Sequence, residues 1–581
     1  MRDLKYTEIL RRNRELTPTP ETKPYEAAVL SNTTIGLVKD ILEYALRAEG
    51  LPAKAVVGEY DNIVQDSARL KNAPLIAIFW ELGNIVDGLH RDAKLLDDDA
   101  LKALEDKTTG ELELVVRNLA DVPLILVNRF SALPFAGASR LEELSRRLNA
   151  RLEDLLPKNA RLIDTDKLFA EVGLEKSVDF RYYNSSKALY TIEFYKAWAE
   201  EALGPVLAAT GRAKKALIFD CDNTLWRGVL GEDGAEGLKM SPTTPEGAVF
   251  AEIQSIALSL QRRGVLLGLC SKNSSEDVAA VLERHPDMLL RPETIAAKRI
   301  NWADKAQNLR EIASELNIGL DSLVFVDDSP FEAELVRAQL PQVRVLQTPE
   351  KLEDYPRLLR KLAGFFASAA PTAEDLRRTE LYREQGDRAE KRAAFVSVEE
   401  YLASLEQRVA VFENDKSLTA RMAQLCQKTN QFNATTKRHT ESDISRMLEI
   451  PAARLFAFSA SDKFGDNGVT GLSIVLPGQT ADEAVVDTFL ISCRVIGRNI
   501  EFAFMDHLVD ELRAAGVRHL RARHERTAKN GPAADFFEKC SFRLIRSDAK
   551  VREYELALSE YRPSAIAYIE VLKADASARA R

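Results

Sequence analysis

Asp220 and Asp222 stand two positions apart where the apolar run Ala216 to Phe219 ends. Two carboxylates so close repel each other unless a cation or a proton offsets their charge. At the carboxyl end of a buried parallel strand, such a pair points to metal-assisted chemistry with hard oxygen ligands. The same letters also suit an Asp/Asn turn after a strand. Three more groups able to do chemistry follow in order: Ser271, Lys305 and the pair Asp327-Asp328.

The elements around these residues decide whether they can meet. After Ala216 to Phe219, the residues Phe250, Ile253, Ile256 and Leu260 recur at helical spacing. The spacing predicts a strand from Val265 to Cys270 ending in Ser271, then a helix near Glu276 to Arg284. Lys305 opens an amphipathic helix carrying Leu309, Ile312, Ala313 and Leu316. A strand from Ser322 to Val326 ends in Asp327-Asp328, and one more helix precedes Val343 to Leu346. This alternation predicts a doubly wound parallel sheet with ligands beyond its carboxyl ends. Asp220, Asp222, Ser271, Asp327 and Asp328 all lie at such ends. The 33 residues from 272 to 304 leave no room for an inserted cap domain, so an open site is expected.

Asp220-Cys-Asp-Asn-Thr224, Ser271, Lys305 and Asp327-Asp328, in that order, resemble the haloacid dehalogenase (HAD) superfamily of aspartate-nucleophile phosphotransferases. The resemblance implies Mg²⁺ held by Asp220, by Asp327 and by the backbone carbonyl of Asp222. It implies that Asp220 attacks phosphorus and becomes an aspartyl phosphate, while Asp222 serves as general acid and then base. Ser271 and the amides after Asp220 bind phosphoryl oxygens, and Lys305 neutralises charge on the transferring group. Asp328 holds a metal-bound water or caps the helix that begins near Pro330.

Within that superfamily the chain is most similar to the FkbH-like branch. The similarity is carried by Trp226-Arg-Gly-Val-Leu-Gly-Glu-Asp-Gly234, Ser271-Lys-Asn273, Asn301-Trp-Ala-Asp-Lys305 and Val326-Asp-Asp-Ser-Pro-Phe331. Lys428-Thr-Asn-Gln-Phe-Asn433, Phe464-Gly-Asp-Asn-Gly468 and Ser492-Cys-Arg-Val-Ile-Gly-Arg498 add to it. The resemblance implies 1,3-bisphosphoglycerate as substrate, release of phosphate, and loading of a glyceryl unit onto the phosphopantetheine thiol of an acyl carrier protein in polyketide-type biosynthesis. It also implies that Cys221 carries the glyceryl group as a thioester. Strand alternation works against that role, because Asp220 and Asp222 then face one side and Cys221 the other. The plain alternative for Cys221 is a small buried apolar residue.

The regions on either side read differently. Residues 1 to 210 alternate helical patterns with buried strands such as Pro74 to Phe79 and Pro123 to Val127. Ser31-Asn32, Glu81 to Asn84 and Asp179 follow the order of SGNH-type hydrolases, which this region resembles. Where that family places histidine after the Asp, Tyr182 stands here. A serine hydrolase needs an imidazole-like base, so a structural or docking domain is expected. Residues 396 to 560 resemble the GNAT acyltransferase fold. There Arg494, Gly497 and Arg498 match the positions that wrap a coenzyme A pyrophosphate at a helix N-terminus. Asn499 and Ser541 replace small residues of that pattern. The resemblance therefore implies a groove for a pantetheine arm on a carrier, or a structural domain.

Composition narrows the classes. The chain has 581 residues, a net charge of −9 and 45% apolar residues, which fits a multidomain globular protein. The charge disfavours a duplex nucleic acid partner, and no apolar run reaches a membrane span. The five cysteines (221, 270, 426, 493 and 540) have no CxxC spacing, which fits a reducing cytoplasm. Met1 to Lys5 has no apolar stretch like a secretion signal. The expected organisation is an SGNH-like α/β domain (1–210), a HAD-like catalytic domain (211–365), a helical connector (366–395), a GNAT-like α+β domain (396–560) and a tail (561–581). Besides glyceryl transfer, the reading leaves two rivals: a phosphatase of a small phosphorylated metabolite, and a non-catalytic scaffold for a carrier protein.

Overall fold

The computed structural model describes residues 1, 4–19, 21–135, 139–366, 398–463 and 465–574. Most of the expected connector, Phe464 and residues 575–581 lie outside them. The chain divides into two compact units, Met1–Ala209 and Thr210–Arg581. Among the described residues the architecture is α/β, with three separate sheets.

The first unit holds five parallel strands: β1 (Tyr25–Ser31), β2 (Ala53–Tyr60), β3 (Leu75–Phe79), β4 (Leu124–Asn128) and β5 (Ala160–Ile163). Their order is β2-β1-β3-β4-β5. β3 and β4 are buried along their whole length, as expected for strands covered by helices on both faces.

The second unit opens with a five-stranded parallel sheet: β6 (Ala216–Phe219), β7 (Leu266–Ser271), β8 (Ile295–Ile300), β9 (Leu323–Asp327) and β10 (Arg344–Gln347). Their order is β10-β9-β6-β7-β8, which places β6 at the centre. One face packs Leu217, Phe219, Leu267, Leu269, Val324 and Val326 against the helix Pro245–Gln261. The other packs Ile218, Cys270 and Phe325 against the helices Lys305–Glu315 and Pro330–Gln339. β8 was not foreseen: Ile295-Ala-Ala-Lys-Arg-Ile300 is an edge strand whose second half is not buried, so it lacks a continuous apolar run. A Cβ at Gly268 would lie 2.6 Å from Ile218 Cδ1 and 3.0 Å from Ala297 O, so a larger residue there would crowd its neighbours.

The same unit continues into a largely antiparallel sheet of β11 (Gln407–Glu413), β12 (Phe432–Asn433), β13 (Arg454–Asp462), β14 (Gly465–Pro477), β15 (Glu483–Ile491), β16 (His519–Glu525), β17 (Arg543–Ser547), β18 (Val551–Ala557) and β19 (Ile569–Lys573). The path is β17-β18-β16-β15-β14-β13-β11-β19, with β12 paired to β15. The expected tail 561–581 therefore contains a true strand, β19, which pairs in parallel with β11. Among the described residues no helix is long and apolar enough to cross a membrane.

Candidate active site

The carboxyl ends of β6 and β9 bring the acids together. Asp220 follows β6 and donates its backbone N–H to Val326 O of β9 at 2.9 Å, which fixes the two strand ends side by side. Carboxylate oxygens of Asp220, Asp327 and Asp328 all lie within 4.8 Å of one another. Lys305, the first residue of its helix, places Nζ 3.1 Å from Asp220 Oδ1 and 2.7 Å from Asp327 Oδ2. Asp304 caps that helix by accepting from Gln307 N at 2.9 Å, which fixes where Lys305 begins. Lys305 is buried. Burial works against its charge, but Asp220 and Asp327 outweigh burial and its pKa is raised.

Asp327 is fully buried, and its pKa is raised to about 6, chiefly by burial, with Asp220 adding and Lys305 opposing. Asp328 is also raised, again first by burial and then by Asp220. Asp328 is not the N-cap of the following helix. That role belongs to Ser329, whose hydroxyl accepts from Glu332 N.

The Asp222 carboxylate stays apart from this cluster. Its Oδ1 accepts from Trp226 Nε1 at 3.0 Å and from Leu230 N at 3.1 Å, and its Oδ2 accepts from Asn273 Nδ2 at 3.0 Å. Burial raises its pKa despite those donors. A carboxyl held by donors yet inclined to keep a proton suits a general acid and base. Trp226 and Asn273 lie in sequence stretches already noted, but their task of holding Asp222 could not be read from the letters. Tyr355, whose hydroxyl donates to Thr224 O at 3.2 Å, braces the turn after Asp220 from a distant helix.

Cys221, expected either to carry a thioester or to be a small buried apolar residue, lies on the core side of the strand end. It is 0% exposed and packs with Phe219, Leu225 and Trp226 in the core on one face of the sheet. Burial raises its thiol pKa well above 9, the two aspartates add to this, and a hydrogen bond with Ser271 only partly opposes it. Ser271 reaches the same strand-end row but is itself buried, with Cys221 as its side-chain partner. Trp302 and Phe331 stand exposed just beyond the ends of β8 and β9, consistent with an open rim.

The C-terminal region carries two expectations, a pantetheine groove or a structural domain. Parallel β15 and β16 pair over only three positions, Glu483 to Val485 with His519 to Arg521, and then separate. Phe432 to Ala434 fills the gap. β12 pairs with Leu490 and Ile491, Ala434 N donates to Phe489 O at 3.0 Å, and Glu525 N donates to Ala434 O at 2.8 Å. Arg498 is likewise an internal tie, 2.9 Å from Asp462 and donating to Arg494 O. Gly497 has φ +78 with nothing near its missing Cβ, and Arg494 lines a cavity of about 200 Å³.

In the first unit, Ser31 Oγ pairs with Thr33 among the described residues. The Asn32 side-chain amide donates to Glu81 O at 2.9 Å and accepts from Glu81 N at 2.7 Å. Glu81 is buried, bonded by Tyr190, and its pKa is raised to about 7 by burial. Asp179 caps the helix Phe180–Ser186 and pairs with Arg181, while Tyr182 points into solvent.

No protein-family model and no curated protein matches the chain. Among solved structures, the N-terminal part of the Bacteroides fragilis protein BF1531, described as containing a phosphatase domain complexed with Mg, is similar over 63% of this chain and 100% of that one. The identity is 24% and the TM-score 0.55. That likeness is one of fold. A putative GNAT-family acetyltransferase from Desulfovibrio desulfuricans is similar over 26% of this chain and 99% of its own, at 16% identity and TM-score 0.21. The putative acetyltransferase yncA of Salmonella typhimurium is similar over 27% of this chain and 98% of its own, at 13% identity and TM-score 0.21.

Proposed function

We propose that Asp220 is the nucleophile of a Mg²⁺-dependent phosphoryl-transfer site. In the complete reaction a glyceryl unit passes from 1,3-bisphosphoglycerate to the phosphopantetheine thiol of an acyl carrier protein. The observation that carries the phosphoryl-transfer reading is the convergence of Asp220, Asp327, Asp328 and Lys305 beyond β6 and β9. Gathered carboxylates fit a hard divalent cation, and the similarly folded BF1531 domain is described with Mg. Asp220, Asp327 and Asp328 would hold the ion with the main-chain carbonyl of Asp222. Bound there, it neutralises charge on the phosphoryl oxygens.

Atom balance divides the reaction in two. Removing the 3-phosphate breaks a P–O bond: an Asp220 oxygen bonds to phosphorus, and the leaving alkoxide takes a proton from Asp222. A water deprotonated by Asp222 then frees phosphate from Asp220. The acyl phosphate at C1 must be attacked at its carbonyl carbon, since attack at phosphorus would leave a free carboxylate and no acyl group to transfer. A thiolate forms the C–S bond there and phosphate leaves. In this reading the carrier thiol attacks directly, which the burial of Cys221 supports.

The same burial of Cys221 favours a second reading, a phosphatase acting on a small phosphorylated metabolite. One experiment separates the readings. The protein is incubated with Mg²⁺, 1,3-bisphosphoglycerate and holo-carrier, and the intact carrier is weighed. A glyceryl mass gain supports transfer. Phosphate without a gain assigns the phosphatase. Neither product leaves a scaffold.

A further inference from the structure

The turn after β6 carries a guanidinium to the mouth of the acid site. Asn223 has φ +51, and its Oδ1 accepts from Gly228 N at 3.2 Å while its own N–H donates to Gly228 O at 3.3 Å. A left-handed position suits Asn, whose short side chain can bond its own turn. Gly228 has φ +114, and a Cβ there would lie 2.9 Å from Asp233 Oδ2. Between these two residues Trp226 is buried and donates to Asp222, while Arg227 is exposed. Arg227 N donates to Lys239 O at 3.0 Å and Lys239 N to Arg227 O at 2.9 Å, which pins the main chain of Arg227. The side chain folds back over the turn. Its Nη1 lies 3.4 Å from Asn223 Oδ1, and the Asn223 side chain also hydrogen-bonds the Asp328 carboxylate. One amide therefore separates the guanidinium from a member of the acid cluster.

Charge decides what Arg227 is available for. Lys305 is held by Asp220 and Asp327. Lys272, next to Ser271, pairs with Glu332 at 2.6 Å, and Lys239 pairs with Glu246 at 2.8 Å. Among the described residues Arg227 has no carboxylate at ion-pair distance, and Glu246 attracts it only at longer range. Its side-chain contact is a neutral amide oxygen, farther off than in a usual hydrogen bond. Of these four cations, Arg227 can take an anion without first giving up an ion pair. Its planar fork matches a phosphate or a carboxylate with two parallel N–H donors. The acid cluster has no such capacity. Three carboxylates there balance Lys305 and one divalent ion, which leaves no positive charge over for a second anionic group.

We propose that Arg227 determines specificity by binding the non-reacting anionic group of a substrate that carries two. That substrate is a phosphate ester or anhydride with a second phosphate or a carboxylate on the same short carbon chain. The assignment rests on the phosphoryl-transfer reading of the acid site and selects its substrate class. A bisphosphorylated three-carbon acid meets the requirement, and a monophosphate with a neutral tail does not. Arg227 makes and breaks no bond, so its loss acts on binding.

Two probes of equal carbon length test this. 3-Phosphoglycerate carries a phosphate and a carboxylate, and glycerol 3-phosphate carries the same ester with a neutral end. Each is titrated calorimetrically, with Mg²⁺, into the full chain carrying Asp220→Asn. Phosphate release from each by the unsubstituted chain is measured alongside. We expect 3-phosphoglycerate to bind more tightly. Adding Arg227→Gln should weaken its binding about tenfold or more and leave glycerol 3-phosphate unchanged, while Arg227→Lys recovers part of the loss. In turnover the same substitution should raise KM for 3-phosphoglycerate and spare kcat. Equal binding of the two probes, binding of 3-phosphoglycerate indifferent to Arg227→Gln, or equal weakening of both probes overturns the assignment. Release from neither ester, with discrimination in binding kept, counts against phosphoryl transfer and leaves Arg227 as the anion receptor.

Discussion

Lys305 keeps its charge in a buried site because Asp220 and Asp327 hold it from two sides. Both carboxylates also face the point where Asp328 arrives, so the cluster has more acid than one ammonium can neutralise. If Asp220 is the nucleophile as proposed, Asp220→Asn should lower phosphate release by about a thousandfold or more, measured as phosphate liberated with Mg²⁺ present. Cys221→Ala should leave carrier loading intact, read by the mass of the carrier. A lost mass gain there would restore the thioester role. The pKa of Asp327 is raised from 3.8 to about 6, first by burial. Between those values the folded chain keeps a proton that the unfolded chain has released, so protonation of this group favours folding below about pH 6 and its ionisation costs stability above. A divalent ion needs the ionised form and competes with that proton. The apparent affinity for Mg²⁺ should therefore fall as pH drops from 7.5 through 6, checked by Mg²⁺ titration of Tm at each pH.

At the scale of elements, the turn after β6 exists to hold Asp222. Trp226, Leu230 and Asn273 each donate one hydrogen bond to its carboxylate, and Gln254 of the helix Pro245–Gln261 donates to Leu225 O at 2.8 Å to steady the turn. Trp226→Phe deletes one donor while keeping an aromatic ring. It should cost about 1 kcal/mol of stability and lower kcat about tenfold with KM little changed, read by calorimetry and steady-state kinetics. In the C-terminal sheet, Arg498 faces the fully buried carboxylate of Asp462. Arg498→Ala should cost about 3 kcal/mol of stability, read in urea unfolding, with phosphate release retained.

For the whole molecule, the second unit contains every member of the acid cluster and the elements that brace it. A fragment spanning 210–581 should therefore fold and keep metal-dependent phosphate release, checked by circular dichroism and a phosphate assay. The first unit has a doubly wound sheet with polar groups at the ends of β1 and β3. There Glu81, Asn32 and Tyr190 satisfy one another, and Asp179 serves as a helix cap.

The sequence alone determined the parallel sheet around β6. Strands buried on both faces read as unbroken apolar runs, and the acids stop those runs at one end. It determined the candidates Asp220, Asp222, Ser271, Lys305, Asp327 and Asp328 by their place at strand and helix ends. β8 was hidden because an edge strand needs no continuous apolar pattern, and β19 because its partner β11 lies far away in the chain. Only the tertiary structure decided that Asp328 joins Asp220 and Asp327 while the Asp222 carboxylate turns to Trp226 and Asn273. It also decided that Cys221 faces the core and that Phe432 to Ala434 closes the gap beside β15. These outcomes depend on which way a side chain leaves the backbone and which distant segment lies beside it, and both are set by packing rather than by local pattern.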